Sequence, residues 1–327
     1  MTREVALAAR PRGLPQESDF ELRDAPEPEL RAGDVRVRNV FVSVDPYMRS
    51  RMTGIRTYVP GYDVGDVVDG GAVGRVVESR DDRFAEGDWV LSTLGWREGG
   101  VADGDRLRKL DPGLAPPSTA LGVLGMPGLT AWVGLVDIGD AKEGETLYVS
   151  GAAGAVGSVA AQIAGLKGLR VLGSAGSEEK VEWLRSLGIE AFDYRTTPAK
   201  EALADGIDLY FDNVGGEQLE SALFALRDFG RVIACGAISR YNDERPEPGP
   251  RNLGLVVTRR LRVQGFIVLD HFDRYAAFLA EVGPWVRDGK IACRETFVDG
   301  IENVPAAFAG LFRGDNVGKM LVRVGPD

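Results

Sequence analysis

Residues 148–168 read YVSGAAGAVGSVAAQIAGLKG: a short apolar run, a cluster of glycine and alanine, then apolar residues at helical spacing. A strand feeding a glycine-rich turn and a helix is the layout that cradles a dinucleotide pyrophosphate. Small residues let the backbone approach the phosphate, and the amino end of the helix presents free amides. In the fingerprint G-x-G-x-x-G the second and third glycines are Gly154 and Gly157, with Ala152 in the first place. Alanine serves there if its φ stays negative and Gly151 takes whatever positive φ the turn needs. Taken alone, the loop is equally compatible with tight packing of a helix on a strand. The strand before it, the helix after it and a second strand on time favour a cofactor.

About 20 residues further on, a site for NAD places Asp or Glu on the adenosine ribose 2′-hydroxyl. Here that stretch is LGSAGSEEK, and its strand ends at Gly173-Ser174 without a carboxylate. Small residues leave room for a 2′-phosphate, Ser174 and Ser177 can donate hydrogen bonds, and Lys180 can supply the cation one helical turn on. The expected cofactor is therefore NADP(H). The bland reading of Lys180 is a solvated lysine beside Glu178 and Glu179.

The rest of the composition removes other chemistries. The 327 residues include two cysteines, Cys235 and Cys293, and one histidine, His271, so a zinc site of Cys and His would consume all of them. A serine triad would need His271 as its base, and no Gly-x-Ser-x-Gly elbow occurs. A net charge of −10 argues against a nucleic-acid partner. No apolar run approaches the ~18 residues of a membrane span. The amino-terminal MTREVALAARPRGLP lacks a signal-peptide h-region, from which a cytoplasmic address is expected.

The elements that must position the loop fall into two textures. The first third is β-rich, with VALAA, DVRVRNVFVSV, GAVGRVVES and GDWVLSTL separated by turn signals, as in a compact barrel-like domain. Within 35–44 the apolar phase switches near Asn39, which predicts a bulge or burial on both faces. From about residue 119 strands alternate with helices: TLYVS, a helix to 167, LRVLGS, a helix over 178–187, IDLYFD, a helix over 219–226 and RVIACG. That alternation indicates βαβ units on a parallel sheet, an α/β fold with a doubly wound domain. A polar loop over 241–251 follows, then LRVQGFIVL as another strand and an amphipathic helix over 273–287. The last strand, KMLVRV, has the texture of the early ones, so the chain is expected to return to its first domain.

The motifs SVDPYMRSRM, FAEGDWV, MPGLTAW, GAAGAVGSVAAQ, GSAGSEEK, FDNVGG, CGAISRYN, QGFIV and GDNVGK, in this order, resemble the zinc-independent medium-chain dehydrogenase/reductases of the prostaglandin reductase, alkenal reductase and curcumin reductase branch. The resemblance implies a GroES-like catalytic domain over 1–118 and 298–327, with a Rossmann domain over 119–297 inserted between. It implies that Gly154, Ala155, Val156 and Gly157 hold the pyrophosphate, with Ser174 and Lys180 at the 2′-phosphate and Tyr194 near the adenosine. Asn213, Cys235, Gly236, Ala237, Ile238, Ser239, Arg240, Tyr241, Phe266, Ile267, Val268 and Asn316 would complete the cofactor pocket. Zinc-dependent relatives carry a catalytic Cys near the position of Asp45; its absence points to hydride delivery without a metal.

Hydride addition to the β-carbon of an enal or enone pushes charge onto the carbonyl oxygen, so a donor is needed there more than a strong base. Tyr47 and Tyr241 are the candidates to line the substrate pocket and pass a proton. Arg49 and Arg51 are read as solvated, with contact to an acidic substrate tail the alternative. The expected function is an NADPH-dependent 2-alkenal/enone reductase acting as a homodimer on small molecules. A quinone reductase of the same superfamily is the alternative, and an NADPH-binding redox sensor without turnover the remaining one.

Overall fold

The computed structural model describes residues 1–245 and 247–326. Pro246, inside the polar loop over 241–251, and Asp327, the last residue of the expected return segment, lie outside the described residues. The chain divides into two compact units, Met1–Leu121 with Glu295–Asp327, and Gly122–Arg294.

In the first unit β1 (Thr2–Leu7) and β2 (Phe20–Ala25) pair as an antiparallel ribbon. The main sheet is built on β3 (Asp34–Ser43), whose inward and outward residues alternate only as far as Asn39, after which both faces are covered. Its register against β4 (Ala72–Ser79) shifts between Asn39 and Phe41. The phase switch in the sequence is thus both a bulge and a change to two-sided burial. Gly74 sits opposite this bulge because a Cβ there would come 2.2 Å from the Arg38 carbonyl oxygen. The short helix α1 (Tyr47–Arg51) follows β3, with Pro46 just before its first turn. Strands β5 (Trp89–Ser92), β6 (Gly99–Asp103) and β7 (Arg108–Lys109) extend the sheet antiparallel, β6 on β3 and β7 on β5.

The second unit opens with α2 (Met126–Val133) and continues as β8 (Thr146–Val149), α3 (Gly157–Leu166), β9 (Arg170–Ala175), α4 (Glu178–Ser186) and β10 (Glu190–Asp193). After α5 (Ala199–Ala202) come β11 (Ile207–Asp212), α6 (Gly216–Ala225), β12 (Leu226–Ala234), α7 (Gly254–Thr258), β13 (Arg262–Gly265) and α8 (Tyr275–Arg287). The six strands are parallel and ordered β10-β9-β8-β11-β12-β13, so the direction of winding reverses between β8 and β11. Helix α3 is buried on every side from Gly157 to Ala164, because it lies between the sheet and α2. Its one large polar residue, Gln162, is fully used: it exchanges hydrogen bonds with the Ala292 backbone at 2.7 and 3.2 Å.

The chain then returns to the first unit as β14 (Glu295–Asp299), α9 (Val304–Arg313) and β15 (Lys319–Arg323). Strand β15 pairs antiparallel with β3 and parallel with β14. Helix α9 brings Phe308 against Trp96 and Phe20, with ring centroids 5.4 and 6.3 Å away, at the centre of the first unit's core.

Three expectations need correction. The LRVQGFIVL strand stops at Gly265, since its neighbour β12 pairs only as far as Ala234 and then bends toward β11; residues 268–274 form a helical turn instead. The domain limits fall at 121/122 and 294/295 rather than 118/119 and 297/298. Ala120 and Leu121 belong to the first unit's core beside Phe41 and Leu321, and residues 295–297 are already paired to β15. Helix α6 begins at Gly216, three residues before the expected start, because Gly215 and Gly216, both with positive φ, make the tight entry.

Candidate active site

In the glycine loop after β8, Gly151 has φ 59° and Ala152 does not enter the left-handed region, so the positive φ is taken one residue before the fingerprint's first position. Ala152 is buried, its amide donates to the Ser174 carbonyl at 2.9 Å, and a Cβ on Gly173 would come 2.7 Å from the Ala152 methyl. The residue that replaces the first glycine therefore wedges β8 against β9. Gly157 has no such latitude: a Cβ would lie 2.3 Å from the Gly151 oxygen and 2.9 Å from the Ala152 Cα. At Gly154 the nearest atom would be 3.3 Å away, so that face of the turn stays open. Ser158 N donates to the Gly154 carbonyl at 3.0 Å and Ala160 N to the Val156 carbonyl at 2.9 Å, so the chain already winds helically from Gly154, and the amides of residues 155–157 are the ones a phosphate at this helix amino end would meet. The cradle fits a phosphate.

Across the reversal point, Asp212 ends β11 and organises the neighbouring loop. Its Oδ1 accepts from Gly215 N at 2.7 Å, Val214 N at 3.0 Å and the Tyr210 hydroxyl at 2.7 Å. Asn213 is held to the other strand end, its Nδ2 donating to the Ser150 carbonyl at 2.8 Å and its amide to Ser150 Oγ at 3.1 Å. The segment after β12 lies along the same edge. Cys235 N and Gly236 N donate to the Asp212 carbonyl at 3.0 and 2.9 Å, Ile238 N to Asn213 at 3.2 Å, and Ser239 to the Val214 carbonyl. Tyr241 folds back so that its hydroxyl accepts from Ala237 N at 3.2 Å beside Gly236. Burial pushes its pKa up, with Cys235 and Asp212 adding to the rise against that one hydrogen bond, so the phenol stays protonated. Burial likewise pushes the Cys235 thiol up to about 12, with Asp212 adding to the rise, so the thiol stays protonated. Arg240 pairs with Asp243 at 3.4 Å. Phe266, Ile267 and Val268 follow β13 half-buried, Phe266 within reach of Gly134 and edge-on to His271.

At the far end of β9, Ser177 caps α4 through Lys180 N. Lys180 stands half-buried in the helix's first turn, and Tyr194 covers Gly176, where a Cβ would meet the phenol oxygen at 2.9 Å. Ser177 and Lys180 thus stand in the first turn of α4, and Tyr194 lies over Gly176 just before it. Ser174 is placed differently: it is 1% exposed, and its Oγ accepts from the Tyr148 hydroxyl at 2.8 Å, inside the unit. The side chain that sequence spacing assigned to a 2′-phosphate is a core residue, and Ser177 occupies the surface position.

Tyr47 and Asn316 belong to the first unit. Tyr47 opens α1, and burial together with the nearby Asp45 carboxylate raises its pKa. Asn316 lies in the turn before β15, donating to the Gly318 carbonyl at 2.6 Å. The reading of Arg49 and Arg51 as solvated is corrected. Arg49 is buried and donates to the carbonyls of Pro11 and Gly13, while Arg51 pairs with Asp69 and lies 3.9 Å over the Tyr62 ring.

Ser150 and Asp212 were missed as site residues, although YVSG and FDNVGG carry both; a polar residue at the carboxyl end of each of two adjacent buried strands was the available signal. Burial raises the pKa of Asp212, against the hydrogen bonds that lower it. The folded-state value therefore lies above the ordinary one, and the stability this group contributes is full below the ordinary carboxylate pKa and is lost as pH rises through the raised value. Asp212→Asn keeps the Oδ1 acceptor and removes that loss. Thermal melts should show the variant gaining on wild type as pH rises through that window, whereas a difference independent of pH would contradict the assignment.

The donor set does not fit zinc: Asp45 is salt-bridged to Lys319 at 3.1 Å, and no group of three or more His, Cys, Asp and Glu able to hold a metal occurs among the described residues. Family models described as N-terminal domain of oxidoreductase and as zinc-binding dehydrogenase match residues 3–110 and 155–282. An NADPH-dependent curcumin reductase of Escherichia coli is 44% identical, covering 99% of this chain and 97% of that protein. An NADP(+)-dependent 2-alkenal reductase of Nicotiana tabacum is 41% identical, covering 98% of this chain and 97% of its own. The crystal structure of CurA from Vibrio vulnificus in complex with NADPH superimposes with a TM-score of 0.93 at 40% identity, over 99% of this chain and all of that one. With strand orders as described, a phosphate cradle at the reversal point and no ligand set for zinc among the described residues, the chain belongs to the zinc-independent medium-chain dehydrogenase/reductases, in the branch of the prostaglandin, curcumin and 2-alkenal reductases.

Proposed function

We propose that this protein is an NADPH-dependent reductase that saturates the carbon–carbon double bond of α,β-unsaturated aldehydes and ketones, placing hydride on the β-carbon without a metal. The observation that carries the reading is the end of β9, which closes on Gly173-Ser174-Ala175 without a carboxylate of its own and is followed by Ser177 and Lys180 in the first turn of α4, in a chain of this reductase branch. In this reading Gly154, Ala155, Val156 and Gly157 hold the pyrophosphate, Lys180 and Ser177 the 2′-phosphate, and Tyr194 the adenosine. Asn213, residues 235–241 and residues 266–268 line the rest of the pocket. Bound there, the cofactor supplies two electrons and a proton as hydride.

As the β-carbon gains hydride, negative charge moves to the carbonyl oxygen of the substrate, and a neutral donor at that oxygen lowers the barrier. Tyr241 suits the task because its raised pKa keeps the phenol protonated while its oxygen accepts from Ala237 N–H. Tyr47, also held neutral by burial, is the other candidate to pass a proton to the α-carbon, as is water. Strand β13 is the sheet's outer edge with all four residues exposed, Val263 among them, and Val257 of the preceding α7 is exposed as well. An exposed edge of this kind supports a homodimer formed by pairing two copies of β13.

Purified protein offered a panel of enals, enones and quinones should oxidise NADPH in preference to NADH and yield the saturated ketone from a simple enone. Turnover of quinones alone would favour quinone reduction, and tight NADPH binding without any turnover a sensor. Lys180→Ala should raise the KM for NADPH by roughly ten- to a hundredfold, the scale of one charge-assisted contact, with little effect on NADH; equal effects on both cofactors would remove Lys180 from the 2′-phosphate. Tyr241→Phe should lower kcat by about a hundredfold if the phenol is the proton donor, and more than Tyr47→Phe does. Light scattering should give a dimer for wild type and a monomer for Val257→Lys combined with Val263→Lys, which sets like charges on the exposed edge; a wild-type monomer would end the dimer reading.

A further inference from the structure

Lys319, at the start of β15, has a side chain 4% exposed and carries its ammonium into the first unit. All three of its protons are engaged, by the Val44 carbonyl at 2.8 Å, Asp45 Oδ1 at 3.1 Å and the Met320 carbonyl at 3.0 Å. The other oxygen of Asp45 accepts from Ser43 Oγ, so both carboxylate oxygens have a partner and the ammonium has no proton to spare. A second acid faces the same ammonium: Glu295 lies opposite Lys319 in the β14–β15 register and accepts from Ser118 Oγ at 2.8 Å. Burial raises the pKa of that carboxyl, and Lys319 draws it back.

The register explains why this cation meets this corner. Leu321 of β15 is level with Ser43, the last residue of β3, so antiparallel pairing carried two residues further sets Lys319 level with Asp45. There the chain leaves the sheet, turns through Asp45-Pro46 and enters α1 at Tyr47, with Met48 N donating to the Asp45 carbonyl at 3.1 Å. The ammonium holds both the backbone of residue 44 and the side chain of residue 45, so it fixes the direction in which the corner departs. An apolar residue of similar volume could fill the space but could not select among orientations.

We propose that Lys319 is a positioning residue: by clamping the Val44-Asp45 corner it sets where the Tyr47 phenol stands. The kinetic consequence rests on the proposed reductase function; the geometric one does not. The test uses full-length protein labelled with 3-fluorotyrosine, in which the resonance lost in Tyr47→Phe identifies Tyr47. In folded Lys319→Met the Tyr47 resonance should shift and broaden, while those of Tyr148 and Tyr210, assigned in the same way, stay in place. An unmoved Tyr47 resonance in the folded variant overturns the proposal, whatever happens to the rate. Should Lys319→Met fail to fold, Lys319→Met combined with Asp45→Asn removes both charges together and is read by the same resonance. With an enone, kcat should fall by about ten- to a hundredfold, as for a small misplacement of a reacting group. The Kd for NADPH, titrated separately, should hold within about twofold. A moved resonance with wild-type kcat would leave the positioning role intact and remove Tyr47 from the chemistry.

Discussion

The second unit depends on one junction, where the carboxyl ends of β8 and β11 meet and the winding of the sheet reverses. Helices leaving neighbouring strands toward opposite faces open a crevice at such a point, and a ligand can enter only if the two strand ends are held apart at a fixed distance. Ser150 and Asp212 perform that task. Ser150 binds Asn213 through both its hydroxyl and its carbonyl, and Asp212 gathers three donors from its own turn and from Tyr210. Behind them Tyr148 and Tyr210 stack with centroids 5.0 Å apart, and the Tyr148 hydroxyl continues the network to Ser174 on β9. The loops that line the crevice are mostly half-buried, and what orients them lies in the layer beneath.

Much of this arrangement was legible in the chain. Strand–helix alternation announced the parallel sheet, the phase switch at Asn39 announced the bulge, and the texture of the last strand announced the return to the first unit. The glycine loop's backbone follows from its residue types: Gly151 bears the positive φ and Ala152 does not. What escaped was long-range. Whether a serine at a strand end faces solvent or the layer below depends on its neighbours, and Tyr148, 26 residues earlier, decides it for Ser174. Local spacing favoured Ser174 and Ser177 equally, yet only Ser177 reaches the surface position, with Lys180 in the first turn of α4.

The same limit applies to charge. In the sequence Arg49 and Arg51 look like a solvated pair on a short helix, and Lys319 looks like an ordinary strand-end lysine. Each is drawn inward by acceptors far away in sequence: Pro11 and Gly13 for Arg49, Asp69 for Arg51, Val44 and Asp45 for Lys319. Burying a cation is costly unless its donors are satisfied, so such positions arise only where several carbonyls or a carboxylate converge. No residue count or local pattern reveals that convergence.

The return of the chain to β3 has a bearing on how the molecule is made. Residues 122–294 form a unit closed in sequence, whereas the other unit leaves its sheet unfinished until β14 and β15 arrive. During synthesis the inserted unit is therefore complete on the ribosome while β3 still exposes the edge that β15 will occupy. Closing that edge joins residues 43 and 321, a long loop-closure step of the kind that makes non-local pairing slow. The nascent first unit carries an open, apolar strand edge through most of translation, and it is there that a chaperone would find its target.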